Sequence, residues 1–463
     1  MLFPSVQFAI FFPIVLALSW ALMPRPFLWK PFILIASYVF YAAASPTFCL
    51  LLAGVTVWNH YAALLIGRTE RDRWRSWICG LAVTGDLVAL GIFKYYSFFA
   101  QSFAREFHSV GLGTPFPLLT VALPVGISFF TFQAISYTVD VKRRLIEPAR
   151  LIDTAVYLSF FPHLVAGPIV RAREFLPQLA SPRDPEQVAV SSGLMLIGMG
   201  LVKKVVIADY LGRTVVDPVF AVPQAYHAPD AAIAAYAYAA QIYCDFSGYT
   251  DIAIGLALLL GFVFPQNFHS PYRATGFRDF WRRWHMTLSR FLRDFLYIPL
   301  GGNRGSTLMT YRNLMITMVL GGLWHGAAWT FVIWGAFHGT CLILEHAFGG
   351  KLKAPTWLRW FVTFQLVVFG WIIFRSQNVS ELWTFLKRFA SPGAPTLWTA
   401  PVIAAILATI APQLLPERPF DRLQGALGRL NPILLGTSLG VLILFVAATV
   451  ASQGVPPFIY FRF

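Results

Sequence analysis

The sequence predicts an all-α, polytopic membrane protein: a helical bundle of about 11 transmembrane helices with re-entrant and amphipathic helices among them. Three observations carry that reading. Only 12% of the 463 residues are charged and 57% are hydrophobic, where soluble domains carry about 25% charged residues. Mean hydropathy is +0.62. Apolar runs recur along the whole chain, and short basic loops separate them. No composition shift marks off a soluble module, so residues 1–463 are read as a single integral-membrane domain.

A straight crossing needs roughly 20 mostly apolar residues. Runs of that kind lie near 6–22, 32–44, 46–66, 77–99, 117–139, 151–170, 192–208, 231–244, 250–264, 313–324, 326–344, 357–374, 398–415 and 432–451. Some are too short to cross alone, and merging or re-entry reduces the tally to about 11. Residues 1–20 lack a basic n-region and read as the start of the first span, not as a cleavable signal. The aromatics, 16% of the chain, suit interfacial belts and cavity walls.

The net charge is +15. In a soluble chain that excess points to nucleic acid. Here Lys and Arg alternate with apolar spans, the positive-inside pattern, so no nucleic-acid partner is expected. Arg25 and Lys30 sit in 23–31, Arg68, Arg71, Arg73 and Arg75 in 67–76, and Lys142, Arg143, Arg144 and Arg150 in 140–150. The turn at Ser45 and Pro46 is uncharged, and 100–116 holds only Arg105 against Glu106. The N-terminus is therefore expected outside and the three basic loops in the cytoplasm. Cys49, Cys79, Cys244 and Cys341 show neither CxxC nor metal-ligand spacing and read as small packing residues.

Within 159–179, Pro162, Gly167, Pro168 and Pro177 interrupt any helix. Broken backbone at membrane depth must line a cavity or be covered by protein. His163 lies there, either bonded to a freed backbone group or catalytic. Residues 209–230 read as a polar, Pro-containing exterior loop. In "QIYCDFSGYTDIAIG" (241–255), Asp245 and Asp251 stand in an apolar region. Intramembrane carboxylates are costly and functional by default. The alternative is a structural carboxylate paired with an arginine of 273–304.

Residues 277–296 predict one amphipathic helix. Phe277, Phe280, Trp281, Trp284, Leu288, Phe291 and Phe295 form a stripe at helical spacing. Asp279 with Arg283, and Arg290 with Asp294, are opposite charges four apart on another face. His285 lies at the stripe's edge, one turn before Ser289. Such a helix lies in the membrane interface or under the bundle; its charges are a solvated face, or Arg278, Arg282 and His285 border a site for an anion. The loop "YIPLGGNRGS" (297–306) is turn-rich, with Asn303 and Arg304 at its tip. It is either an ordinary connector or a backbone cradle for phosphate.

Residues 313–344 contain no Lys, Arg or Asp. As one straight helix they would extend about 48 Å, beyond a hydrocarbon core of roughly 30 Å. A break is expected at Gly321, Gly322 or Gly326. His325 sits at that break, and the glycines beside it read as room for a substrate. His338 would point elsewhere on a continuous helix. The closing "PPFIYFRF" (456–463) offers interfacial anchors.

Together these segments resemble the membrane-bound O-acyltransferases, and within them the alginate O-acetyltransferase branch. The resemblance spans nearly the whole chain. It is carried by "LPVGISFFTFQAISYTVDV" (123–141), "SFFPHLVAGPIVRAREFLPQL" (159–179), "LVKKVVIAD" (201–209), "YCDFSGYTDIAIG" (243–255), "FRDFWRRWHMTLSRFLRDFLYIPLGGNR" (277–304) and "GGLWHGAAWTFVIWGAFHG" (321–339). It implies a helical bundle around a central funnel or tunnel. It also implies acetyl transfer from acetyl-CoA, with no bound cofactor and no metal, towards hydroxyls of an exported, alginate-like polysaccharide. The family's WHG histidine falls on His325, as general base, since a neutral imidazole can take a hydroxyl proton near neutral pH. Its second polar position falls on His285, which would orient the donor or stabilise the developing oxyanion.

The same resemblance gives Arg278, Arg282, Asn303 and Arg304 to the CoA phosphates at the cytoplasmic mouth, and Asp245, Ser289 and Trp324 to the substrate path or tunnel. It places the chain as a multi-pass protein of a bacterial inner membrane. The implied partners are membrane lipids and a periplasmic acetyltransferase of the SGNH-hydrolase type or a polysaccharide-modification complex. Two other readings remain open at this point. One is a lipid or protein O-acyltransferase using a longer acyl donor. The other is a non-catalytic acyl or polymer carrier, to which intramembrane Asp and Arg residues also fit.

Overall fold

The computed structural model describes residues 1, 3–109, 111, 113, 117, 122–349, 354–415, 425–426 and 430–450. The closing aromatics at 456–463 lie outside them. The described residues form helices and turns, with no strand among them. Six helices are long and apolar enough to cross a membrane: Phe48–Arg68, Asp72–Ser109, Val190–Ala221, Ala228–Leu259, Trp329–Phe348 and Thr356–Arg375. Four shorter apolar helices, Val6–Leu22, Pro26–Ala42, Ala400–Leu414 and Ile433–Leu444, accompany them. The protein is a multi-pass membrane protein. Its chain divides into two compact units, Met1–Ala189 with Leu256–Phe264, and Val190–Gly255 with Pro265–Phe463.

In the first unit, Phe48–Arg68, Asp72–Leu90 and Ile127–Lys142 pack on one another, and Pro26–Ala42 packs on Leu151–Ser159. The three basic loops meet at one end. Arg75 is buried and donates to the carbonyls of Ile66 (2.8 Å) and Val141 (2.9 Å), and Arg144 pairs with Asp72 (3.2 Å). Lys30 lies inside a helix, buried, and pairs with Asp153 (2.5 Å), which Arg150 also holds (3.0 Å). One end of the unit therefore carries all three loops, as a common orientation requires.

The interrupted segment behaves as its prolines require. Leu151–Ser159 ends at Phe160, a single turn Phe161–Leu164 follows, and the chain then runs non-helically to Arg171. His163 is fully buried among Phe160, Phe175 and Phe264, and its Nε2 donates to the Tyr157 carbonyl (2.8 Å). The geometry is that of a histidine satisfying a backbone group.

In the second unit two expectations are corrected. The runs at 231–244 and 250–264 are not separate spans, because one helix, Ala228–Leu259, passes through both. Its polar middle does not break it, since lysines of the preceding helix neutralise its carboxylates. Residues 209–230 are not a loop throughout. Helical and π-helical turns continue to Ala221 before a short 3-10 turn. The two helices approach closely where Gly200 and Gly248 face each other's carbonyls, so a Cβ on either would meet backbone.

Thr307–His325 and Trp329–Phe348 form an antiparallel hairpin whose turn is Gly326–Ala328. Gly335 lies against Met318 and Val319 backbone, Gly322 against the Phe331 carbonyl, and Gly339 against Met315. These glycines let the two backbones touch. The break predicted within 313–344 is thus a reversal of direction, and it brings His338 back towards His325.

Candidate functional site

The amphipathic segment is not one helix. Phe277–Arg283 ends at an extended Trp284 (φ −99°, ψ 128°). His285 then takes φ 43°, ψ 54°, and Met286–Leu292 resumes the helix. A non-glycine residue in the left-handed region costs on the order of 1–3 kcal/mol and persists only where its surroundings over-determine it. Here they do. Met286 N donates to the Asn267 carbonyl (2.9 Å) and His269 N to the Arg283 carbonyl (2.9 Å). Thr287 N (3.2 Å) and Thr287 Oγ1 (2.9 Å) donate to Asn267 Oδ1, which also faces His285 Nδ1 (3.1 Å).

That break turns Trp284 and His285 inward, where both are buried. The predicted stripe still packs inward at Phe277, Phe280, Leu288 and Phe291. The His285 ring meets Phe246 edge-on (4.6 Å between centroids), Phe268 (6.5 Å) and Trp324 (6.0 Å). Burial among these rings pushes its imidazole down to about 3, so it is neutral near pH 7.

On the other side of the same tryptophan stands His325, the last residue of its helix, 3% exposed. It meets Trp324 (5.1 Å), Trp334 (5.2 Å) and Phe374 (5.3 Å), each near edge-on. His338, fully buried, packs on Trp334 (4.6 Å) and Trp281 (5.3 Å). One aromatic cluster therefore holds three histidines. The glycines next to His325 do not open a path to it: the space a side chain would take at Gly326 is filled by the Phe331 ring, and Gly321 faces Leu292 (3.1 Å). They serve packing, and the reading of them as room for a substrate is withdrawn.

Beside this cluster lies a cavity of about 590 Å³, within the range of small-molecule sites. Arg278, Arg282, Arg290, Arg293, Asn303 and Ser289 are in its wall, together with Trp281, Tyr297, His346, two threonines and apolar side chains, and no carboxylate is. Three of the four residues expected to hold donor phosphates, Arg278, Arg282 and Asn303, share this wall, and Ser289 joins them. Arg304 does not line it; it is exposed at the loop tip. Neither histidine of the expected pair lines it either. Trp281 connects the two features: it faces the cavity and packs on Trp334 (5.7 Å), which touches His325.

Glu345, from the second arm of the hairpin, positions the arginines. Its carboxylate accepts from the backbone N–H of Phe277 (2.5 Å) and Arg278 (3.1 Å), capping the helix that bears Arg278 and Arg282. Within that helix Arg283 pairs with Asp279 (2.8 Å), as the spacing predicts. Asp294 is engaged by Arg293 (2.6 Å).

Asp245 and Asp251 are held by lysines of the preceding helix. Lys204 bridges Asp245 (2.5 Å) and Asp209 (2.8 Å), and Lys203 holds Asp251 (2.6 Å). Both lysines lie in the π-helical turn Val202–Ala208. Asp245 still neighbours the site, since the next residue, Phe246, packs on His285.

A sequence model for the membrane-bound O-acyltransferase family matches residues 118–380, which include the hairpin, both expected catalytic histidines and the cavity wall. The chain belongs to the membrane-bound O-acyltransferase family. It is accordingly an O-acyltransferase. Over 93% of its length it is 40% identical to the probable alginate O-acetylase AlgI of Azotobacter vinelandii, covering 94% of that protein. It is 48% identical to the protein of the same description in Pseudomonas aeruginosa, over 78% of this chain and 69% of that one. A peptidoglycan O-acetyltransferase of Helicobacter pylori is 37% identical over 78% of this chain and 74% of its own.

For a member of this family the arrangement has two chemical parts. The cavity wall carries several guanidinium groups, the side chains that bind anions through charge-assisted hydrogen bonds. The buried cluster offers imidazoles packed among aromatic rings. Among the described residues no group of three or more His, Cys, Asp or Glu is placed to hold a metal ion. Sequence reasoning missed Asn267, Arg290, Arg293, Glu345 and His338. The partners of Asn267 and Glu345 lie 18 and 68 residues away, so no local spacing announces them. Arg290 and Arg293 were visible as charges, but their facing depends on the break at His285.

Proposed function

We propose that this O-acyltransferase moves acetyl groups from acetyl-CoA towards hydroxyls of an exported, alginate-like polysaccharide, from a bacterial inner membrane, working with a periplasmic acetyltransferase of the SGNH-hydrolase type. The relatives, alginate and peptidoglycan O-acetylating proteins by description, support the acetyl group and the polysaccharide. One observation carries the donor reading: an arginine-walled cavity large enough for a small molecule and free of carboxylates shares Trp281 with the aromatic cluster that holds the buried histidines. In this reading Arg278, Arg282 and Asn303 hold the donor phosphates, with Arg290 and Arg293 beside them. The thioester arm passes the wall at Trp281. His325, as general base, takes the proton of the attacking hydroxyl, the carbonyl carbon–sulfur bond breaks, and the thiolate leaves.

Thiol release from acetyl-CoA by the purified protein, with its partner present, tests this. Wild-type release that persists unchanged in a folded His325→Ala variant removes His325 as the base. Palmitoyl-CoA competing as well as acetyl-CoA would favour a longer acyl donor instead.

A further inference from the structure

His285 enters the site with its hydrogen already assigned. The atom of Asn267 that faces it also faces the backbone N–H of Thr287 (3.2 Å). A backbone N–H can only donate, so that atom is the amide oxygen and the orientation of the Asn267 side chain is settled. An oxygen facing His285 Nδ1 at 3.1 Å requires the ring to donate from Nδ1. In a neutral ring the other nitrogen, Nε2, then carries a lone pair. Nε2 is buried and has no hydrogen-bond partner in the protein.

We infer that Asn267 holds His285 as the Nδ1–H tautomer, so that Nε2 is a proton acceptor aimed at an O–H group, the alcohol that receives the acyl group. The inference rests on the acyl-transfer reading above and deepens it. It also reverses the oxyanion role expected for His285, because a nitrogen without hydrogen cannot donate to an oxyanion. Asn267 is then a positioning residue, acting through the ring. The step balances: the hydroxyl oxygen bonds to the thioester carbonyl carbon, the carbon–sulfur bond breaks with its electron pair on sulfur, the hydroxyl proton passes to Nε2, and it leaves Nε2 for the thiolate. One hydroxyl carries one proton, so in this step His285 takes the place given above to His325 as base, and the two histidine variants decide between them.

The ring's packed neighbours, Phe246, Phe268, Asn267, Thr287 and Trp324, are all uncharged. Near them in the chain stand Asp245, held by Lys204, Asp251, held by Lys203, Tyr243, Cys244 and Tyr249 on the Phe246 helix, Arg290 on the Thr287 helix, His269 on the Phe268 loop, and His325 next to Trp324.

The test uses the full-length protein in lipid bilayers with ¹⁵N-labelled histidine, the His285 signal being assigned by its loss in His285→Gln. Solid-state NMR at neutral pH is expected to show hydrogen on Nδ1 and none on Nε2, with the preference lost in Asn267→Ala. Hydrogen on Nε2 in the wild type, or an unchanged tautomer in a folded Asn267→Ala, overturns the inference. Asn267→Asp keeps the accepting oxygen and adds a charge beside Nδ1–H. It should therefore move the acid limb of the pH–rate profile up by about 1–2 pH units. A lowered plateau with an unmoved limb would make Asn267 merely structural and overturn its positioning role. The tautomer measurement does not depend on catalysis. If it succeeds while His285→Gln transfers at the wild-type rate, the acceptor role fails; if neither histidine variant slows thiol release, the proposed function fails instead.

Discussion

Lys204 bridges two carboxylates in a region where none of the three side chains is more than 9% exposed. Lys204→Met keeps the length of the side chain and removes its charge, leaving Asp209 and Asp245 buried and facing each other. Breaking a buried pair by removing one partner costs about 3–5 kcal/mol. For a unit of this size that corresponds to a fall in the unfolding midpoint on the order of 10 °C. Tryptophan fluorescence during heating of the detergent-solubilised protein reads it. The triple change Lys204→Met, Asp209→Asn, Asp245→Asn removes all three charges together and should recover most of the loss, because replacing a whole buried ionic group is often neutral. A midpoint in Lys204→Met equal to wild type would refute this reasoning. The recovered triple variant also separates the two readings of Asp245. If Asp245 serves the substrate path, transfer stays lost; if it is structural, transfer returns with stability.

Other changes have equally direct readouts. Arg278→Gln or Arg282→Gln should raise KM for acetyl-CoA about tenfold or more at unchanged thermal stability, while Arg304→Gln, off the cavity wall, should leave KM near wild type. Gly335→Ala drives a Cβ into Met318 and Val319 backbone and should cost about 1–3 kcal/mol in the same melting assay; Gly436→Ala, whose nearest neighbour is 4.0 Å away, is the matched control and should cost nothing measurable. Acid should destabilise the fold through His285. Its folded value, about 3, lies below the ordinary 6.5, so the unfolded chain binds more protons. Stability falls as pH drops below about 6.5 and keeps falling towards the folded value. His285→Asn should make that decline shallower in pH-dependent melting, and an unaltered slope would contradict the burial argument.

Much of the fold was legible because membrane spans are written in composition. The break within 313–344 followed from length alone, and the segment 159–179 from its prolines. The sequence misled where long-range neutralisation hid a polar stretch. Asp245 and Asp251 looked like the end of a span, yet Lys203 and Lys204, some 40 residues earlier by the separation of each pair, let the helix run through. The stripe in 277–296 was real, but a period of 3.6 cannot reveal a single left-handed residue. That residue decides the site: it turns His285 inward and leaves Arg278 and Arg282 on the cavity wall. His325 stood out at its glycine break and His285 at the edge of the aromatic stripe, and the family motif made them a pair, while Asn267, which faces one of them, carries no such mark. Arg304 was misplaced because an arginine at a glycine-rich tip looks like a phosphate clasp until the loop's facing is known.

The cap supplied by Glu345 makes the arginine helix a passenger of the hairpin. Seven residues have little helical footing of their own, and their first two N–H groups are moored to a carboxylate on the arm that also carries Trp334 and His338. Whatever tilts that arm tilts the guanidinium groups with it. Selection for a different donor would therefore have difficulty moving the phosphate grip while leaving the imidazole cluster where it is.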